Sequence, residues 1–579
     1  MKNRQVIIYA VGLLLVSSFF LLTSQNFFVP FGTMYEADVF YSSGNIYIPQ
    51  QEVILCLVAI VSLTILASRA APEFDIAPTI TRYSARSYVL TLLVFIFIGS
   101  QLISWLVFEH YPRDVDHIAR IFQAKMFASG QLTVDSPPLP DFFSVFAVIT
   151  HEGQAFSKYA PGAALFFAIG ELLFGTSLII NSILGTLSAL FAYLAFRNLF
   201  NEETARVALL FAALSPFFMF MIASFHSHVP ALFLFSSILY LISRVGKSDS
   251  MSWELYTIGF VGGVFVATRE YTSVLISLPL VLNLLAQNPT LALRRILALV
   301  IGIALPLVLL LGYNYRLTGH PLLFPHLLAD PGQVPWFGYK GHTVAIGLHH
   351  LKESFQLLNL NLLGWPFSLV FLLFVPVSRT TMTLMFCFCT LVAGYFANFW
   401  TDYSIGVRYY FESVLILLVF CALGFWRLHA YFGQLAHNYV LNKASLSWFV
   451  VVSCLFSIVV YLPNLITVYG NHYNGNVNTM VTHYAPELDS PSLIFSETVG
   501  GENGGYPSGF LANPLPLTDT STAAVIYARD LGARNKELIA VFPGRDYYRY
   551  RFDPNTARGS FYALDINGQV KDQAPRVFP

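Results

Sequence analysis

Charge is scarce in this chain. Only 11% of its 579 residues are Asp, Glu, Lys or Arg, against about 25% in a soluble globular protein. With 56% hydrophobic residues and a mean hydropathy of +0.61, much of the surface has to face lipid. The net charge is +0, so bulk electrostatics give no hold on nucleic acid. Cysteine is sparse as well: Cys56, Cys387, Cys389, Cys421 and Cys454 all lie in apolar runs. Their spacing matches neither a disulfide framework nor a zinc site, and single thiols buried among helices are the plain reading. Internal repeats, the mark of many transporters, are missing too.

What the sequence does have is long apolar runs. A spanning helix needs roughly 20 mainly apolar residues, and 17 suffice. That template predicts about thirteen transmembrane helices in an all-α polytopic protein, near 6–24, 52–69, 88–108, 177–199, 205–223, 228–246, 253–268, 272–287, 295–313, 363–378, 381–400, 409–427 and 446–468. The first run has a basic start like a signal peptide, but no small-residue cleavage site follows it, and we read it as a retained span. Two long loops separate the spans, at 109–160 and 314–362. A shorter apolar piece, 161–175, opens with Pro161-Gly162 and is expected to lie along or dip into the outer face.

Orientation follows from where Lys and Arg collect. With a cytoplasmic N-terminus, the inner loops hold Arg82 and Arg86, Arg197 and Arg206, Arg244 and Lys247, Arg294 and Arg295, Arg379, and Arg427 and Lys443. The outer loop at 25–51 contains no Lys or Arg. Both long loops and the C-terminus then sit outside. The expected organisation is a transmembrane domain, 1–469, and a small α/β extracytoplasmic domain, 470–579. Within the latter, Ser521–Leu531 reads as a helix and Leu538–Phe542 as a strand. Arg545–Arg551 reads as a basic aromatic stretch, either a solvated strand edge or a surface for headgroups or a glycan.

Ionisable residues near the membrane are costly and point to function. Asp114 and Asp116 stand two apart directly after the third span, before a helical pattern that ends at Gly130. Carboxylates at a helix N-terminus are stabilised in the ionised form, and a simple helix cap explains the same pattern. Lys158, beside the re-entrant piece, is placed to meet a phosphate; snorkelling toward an anionic headgroup is the alternative. Arg408 opens a later span, and Arg269-Glu270 interrupts two apolar runs on the same side, an adjacent pair of the kind that is usually structural. His226 and His228 border another span, with a spacing poor for a shared helical metal site. All these groups fall on one face of the membrane. A chamber there with a carboxylate and several cations suits an anionic lipid-linked substrate.

In order along 90–430, the pieces Asp116–Ala124, Phe127–Leu132, Ser157–Gly162, Ser215-Pro216, Ser227-His228, Thr268-Arg269, Asn314 with Thr318-Gly319, Gly364–Pro366 and Arg408–Tyr410 resemble the GT-C superfamily of membrane glycosyltransferases. That superfamily includes protein O-mannosyltransferases, the aminoarabinose transferase of lipid A and many bacterial relatives. The resemblance implies a GT-C fold, a polyprenyl-phosphate sugar donor and an extracytoplasmic glycan, lipid or protein acceptor, in the bacterial inner membrane. It carries the general base to Asp116; our own reading of the residues sets Asp114 beside it, donor binding at Lys158, Tyr159, Arg408 and Arg269, and an acceptor pocket at His117, His228 and Tyr409. Two departures stand out. His117 replaces the acidic residue that usually follows the aspartate, and Ala160 replaces the first proline of a Pro-Pro pair. No metal ligand is assigned, although Asp114-Val-Asp116 has the form of an acidic metal motif and some members of the superfamily use a divalent metal. The rival readings are a surface-glycan polymerase or ligase, and a transporter or flippase of lipid-linked glycans. A transporter predicts ionisable groups at mid-membrane depth, whereas these gather at one surface.

Overall fold

The computed structural model describes residues 50–112, 114–145, 147–245, 252–399, 403–435, 442–473, 485, 488, 491–496, 506–513, 523–553, 558–571 and 574–578. Among them, seven helices are long and apolar enough to cross a membrane: Ala85–Leu106, Ile180–Leu199, His228–Val245, Pro289–Thr318, Arg379–Ala397, Arg408–Gln434 and Lys443–Gly470. Glu202–Leu214 and Pro216–Ile222 make an eighth if counted as one span, although they meet at 66°. Shorter apolar helices are Cys56–Ala70, Pro161–Phe174, Trp253–Thr268 and Glu270–Ala286. The chain is a mostly helical, multi-pass membrane protein. Its outer helices present Leu90, Phe95, Ile98, Trp105, Leu106, Val300, Leu305 and Val308 outward, an apolar surface that water would not tolerate over such an area. Val414–Ala422 is buried throughout and forms the middle of the bundle.

The expected span 6–24 and most of the loop at 25–51, which has no Lys or Arg, lie outside the described residues. Two of the expected spans take another form. The run 205–223 breaks at Ser215-Pro216, where Ser215 caps the second helix through Phe218 N and its hydroxyl donates to Leu362 O at 2.5 Å. Proline cannot supply the helical hydrogen bond there, so the chain turns. The run 363–378 contains only a short 3₁₀ helix, Ser368–Phe374. Gly364 and Phe367 both adopt positive φ, and Asn359 takes the Leu369 N–H at 3.1 Å, so no α-helical span can form.

Pro161–Phe174 has proline in its first turn, where the missing N–H costs nothing. Its 14 residues reach about 21 Å, short of the roughly 30 Å hydrocarbon core. Its start is pinned by Gly162: a Cβ there would strike Ala267 and Thr268. Gly259 and Gly302 similarly let Trp253–Thr268 and the Ala292–Thr318 helix touch backbone to backbone. These contacts bring Lys158, Tyr159 and Arg269 to one end of the bundle.

The long loop at 109–160 folds into the helix Val115–Ala128 and a three-stranded sheet in the order β1-β3-β2, with β1 at Val134–Asp135, β2 at Val148–His151 and β3 at Gln154–Ser157. Near the C-terminus a five-stranded sheet has the order β5-β4-β6-β7-β8, formed by β4 (Ser492–Ser496), β5 (Val525–Arg529), β6 (Asp546–Asp553), β7 (Arg558–Ala563) and β8 (Arg576–Phe578). Here the two local expectations reverse. The run 521–531 holds β5, a strand paired in parallel with β4, while Leu538–Phe542 falls mainly in the helix Asn535–Val541. Asn535, Leu538 and Ile539 are its buried positions, a helical spacing hidden inside an apolar run. The basic aromatic stretch is neither an edge nor an open patch. It forms β6, between β4 and β7, with Tyr548 and Tyr550 buried and Arg549 paired to Asp530 at 2.6 Å.

The region around this sheet rests on the 109–160 loop. Phe510 packs on Phe122 with ring centres 5.1 Å apart, and Lys125 Nζ donates to Leu511 O at 3.1 Å. Arg534 meets Asp141 at 3.0 Å.

Candidate active site

The helix Val115–Ala128 starts at Asp114, whose side chain accepts from Asp116 N at 2.9 Å. It ends where Gly130, at φ 76, lets Gln131 N reach back to Met126 O. Asp114 is therefore a cap, and its second oxygen is still used: Arg408 Nη1 reaches Asp114 Oδ2 at 3.2 Å, while Nη2 lies 3.5 Å from Asp116 Oδ2. Arg408 comes from the first residue of the 3₁₀ helix Arg408–Ser413. One guanidinium thus bridges both aspartates, a planar fork meeting two carboxylates.

Asp116 gathers further partners. Tyr159 donates its hydroxyl to Asp116 Oδ1. Arg120, one helical turn on, donates to the Asp116 carbonyl at 3.0 Å and lies 3.8 Å from its carboxylate. The Arg120 guanidinium stacks on the Tyr159 ring at 3.9 Å, and Lys158 Nζ sits 5.2 Å from the same ring centre. Burial pushes the Asp116 carboxyl up, but Arg120, Arg408, Lys158 and the Tyr159 hydrogen bond together outweigh it. They hold the group well below the usual carboxylate range. Burial lowers the Lys158 ammonium against the pull of Asp116, and it raises the Tyr159 phenol, with Asp116 adding to the effect. The Asp114 and Asp116 side chains stay 18% and 21% exposed, open enough for a ligand to reach.

Behind Asp114 lie two imidazoles. His117 and His226 meet edge to face at 4.2 Å, and His226 Nδ1 lies 3.3 Å from Arg408 Nη1. Because arginine only donates, Nδ1 is the acceptor and Nε2 carries the His226 proton. Burial, against Asp114 and Asp116, pushes His117 down to about 4. His226 is driven well below its ordinary value by burial, with His117 and Arg408 adding to it. Both rings are neutral near pH 7. Asp114, His117 and His226 offer ligand atoms within 4.8 Å of one another, and the Nε2 atoms of both histidines are buried without a hydrogen-bond partner. Two imidazoles and a carboxylate fit a divalent cation such as zinc, with Arg408 as the competing cation.

A second ionic group lies on the other side of Tyr409. Glu412 Oε1 receives Arg269 Nε at 3.2 Å and His228 Nδ1 at 3.0 Å. Arg269 also donates to Ser227 Oγ at 3.0 Å, to Tyr395 at 3.1 Å and to Thr272 at 3.2 Å. Tyr409 stands between the groups: the guanidinium carbons of Arg408 and Arg269 lie 5.4 and 5.9 Å from its ring centre, and His228 packs on it at 5.6 Å.

The sequence candidates therefore divide. Asp114, Asp116, His117, Lys158, Tyr159 and Arg408 converge on one cluster, while Arg269 and His228 join the second, with Tyr409 shared. Arg120 and Glu412 were not among the candidates. Arg120 carried a legible signal, four residues beyond Asp116 on a helix; Glu412 carried none beyond its place near Arg408.

Residues 158–313 match the family model described as dolichyl-phosphate-mannose-protein mannosyltransferase. No curated protein matches over the chain. Among solved structures, ArnT from Cupriavidus metallidurans in the apo state is similar at 15% identity, covering 82% of this chain and 94% of that one, with a TM-score of 0.51. The same protein bound to undecaprenyl phosphate matches at 14%, 81%, 93% and 0.47. The Archaeoglobus fulgidus oligosaccharyltransferase in the apo form matches at 11%, 80%, 69% and 0.40.

Proposed function

We propose that this chain, which has the fold of the GT-C membrane glycosyltransferases, moves a sugar from a polyprenyl-phosphate donor to an extracytoplasmic acceptor with inversion. The observation that carries the reading is the Asp116 carboxylate, set among Arg408, Arg120, Lys158 and Tyr159, with Asp114 sharing Arg408. Cations of that number suit a phosphate, and a carboxylate among them suits a proton.

In the proposed step the acceptor hydroxyl gives its proton to Asp116 while its oxygen bonds the anomeric carbon. The bond from that carbon to the phosphate oxygen breaks, and polyprenyl phosphate leaves with the electron pair, held by Lys158 and Arg408. Asp116 in its resting ion pairs is a weak base. An arriving phosphate draws Lys158 and Arg408 to itself and adds negative charge nearby, and both changes raise the basicity of Asp116. The base is thus strengthened when the donor is present. His117, His228 and Tyr409 line the acceptor side, and Arg269 frames the donor side from the second cluster. A divalent cation held by Asp114, His117 and His226 would supply Lewis-acid stabilisation of the phosphate.

In this reading residues 1–469 form the transmembrane domain, with 363–378 a 3₁₀ segment rather than a span, and 470–579 form an α/β extracytoplasmic domain. The membrane is a bacterial inner membrane with the N-terminus in the cytoplasm. Cysteines placed at Gln131 and Asn567 then react with an impermeant maleimide in intact cells; reaction only after permeabilisation reverses the topology. The function is tested with purified full-length protein and a panel of polyprenyl-phosphate sugars, following release of the lipid phosphate. Release from at least one donor, abolished in Asp116→Asn, is the expected result. A panel in which no donor reacts, or an Asp116→Asn protein with near-normal turnover, overturns it.

A further inference from the structure

Glu412 lies apart from the proposed chemistry, yet it is a fully buried carboxylate with side-chain exposure of 0%. One oxygen serves both Arg269 and His228, and the other has no hydrogen-bond partner. A carboxylate is stripped of water at such a site only against a compensating charge, and Arg269 provides it. Arg269 in turn is 15% exposed and faces the Tyr409 ring that Arg408 also faces. Two arginines therefore stand at one aromatic wall of the chamber, and Glu412 balances one of them.

We infer that Glu412 is a specificity-determining residue: by neutralising Arg269 it limits the chamber's positive charge to what one lipid-linked phosphate requires. The inference rests on the glycosyltransferase reading above. Around Asp114 and Asp116 stand Arg120, Lys158 and Arg408, three cations against two carboxylates. Without a divalent cation at Asp114, His117 and His226 the net excess is one positive charge, matched by the single negative charge of a sugar phosphodiester. A diphosphate carries at least one more negative charge and would need another cation. Arg269 is the cation at hand, and Glu412 withholds it through an ion pair while Ser227, Thr272 and Tyr395 fix its orientation.

Glu412→Gln keeps the shape and one acceptor oxygen but removes the charge. Farnesyl phosphate and farnesyl diphosphate are titrated calorimetrically into detergent-solubilised full-length protein. The diphosphate should bind about tenfold tighter to the variant than to wild type, with a smaller gain for the monophosphate; interactions between charges at this range support an effect of that order. The double variant Glu412→Gln/Arg269→Gln should return diphosphate affinity to within about threefold of wild type, because the two sites are coupled. A merely structural role would weaken both lipids instead. Unchanged or weaker diphosphate binding by the folded single variant overturns the inference. If that variant does not fold, Arg269→Gln gives the mirror test: Glu412 is left unbalanced, and the diphosphate should lose about tenfold more affinity than the monophosphate; equal losses, or none, overturn the inference. Wild-type protein that binds neither lipid overturns the glycosyltransferase reading itself, a result distinct from wild-type binding without a gain in the variant.

Discussion

The two ionic clusters differ in how they are built. The outer one hangs on a loop helix capped by Asp114 and reaches Arg408 across the bundle, with its carboxylates about one-fifth exposed. The inner one joins the starts of three helical segments, at His228, Arg269 and Arg408–Ser413, around a carboxylate with no exposure. A partly open cluster can exchange its internal ion pairs for those of a ligand at little net cost. A sealed one cannot, because removing one partner strands the other in a medium of low dielectric. We therefore propose the outer cluster for the chemistry and the inner one for its framing.

Experiments can break this contrast, beginning with the largest effect. Asp116→Asn should lower turnover by about 10²–10⁴ while donor binding and the melting temperature stay near wild type; a matching loss in stability would show that the outer cluster is also structural. Lys158→Ala or Arg408→Ala should weaken donor binding by about ten- to a hundredfold, since a charged hydrogen bond is worth roughly 1.5–3 kcal/mol. Arg244→Ala, whose partners Tyr240 and Glu254 lie on the opposite face in the proposed topology, should leave binding unchanged. Equal losses at all three would point to general destabilisation. Asp114→Asn keeps a good capping residue and should cost less than about tenfold in rate. A larger loss, together with wild-type activity abolished by a chelator, would instead identify Asp114, His117 and His226 as a metal site.

The smallest expected effect concerns pH. Asp116 is depressed below the carboxylate range and His117 is pushed down to about 4. A depressed carboxylate keeps its contribution as pH falls until its folded-state value is crossed, and a depressed histidine stays neutral until its own is crossed. kcat/KM should therefore stay flat from neutrality down to about pH 5. A loss beginning near pH 6 would mean that the outer cluster is looser than its ion pairs imply.

Features confined to a few consecutive residues were legible in the sequence. Asp114 before an amphipathic run and Gly130 after it specify a helix start and stop, because cap hydrogen bonds close within four residues. The span read at 253–268 coincides with the helix Trp253–Thr268, since its apolar length alone carries the signal. The low charge required a membrane, and Pro161-Gly162 after Lys158 marked a short helix beginning at the surface. Where a pattern had two local solutions, packing chose between them. Val525–Arg529 became a strand because β4 offers a parallel partner, and the 363–378 run became a 3₁₀ turn around Gly364 and Phe367.

The pairings that make the site are of another kind. Arg408 meets Asp114 across 294 positions of sequence, and His228 meets Glu412 across 184. No local periodicity encodes which cation faces which carboxylate. Composition and spacing determined that this chain crosses a membrane and pointed to the residues from which the site is built. Only the tertiary structure decided that Arg408 would bridge the aspartates and that Glu412 would take Arg269, because the geometry of an ion pair depends on helices that meet only once the bundle is packed.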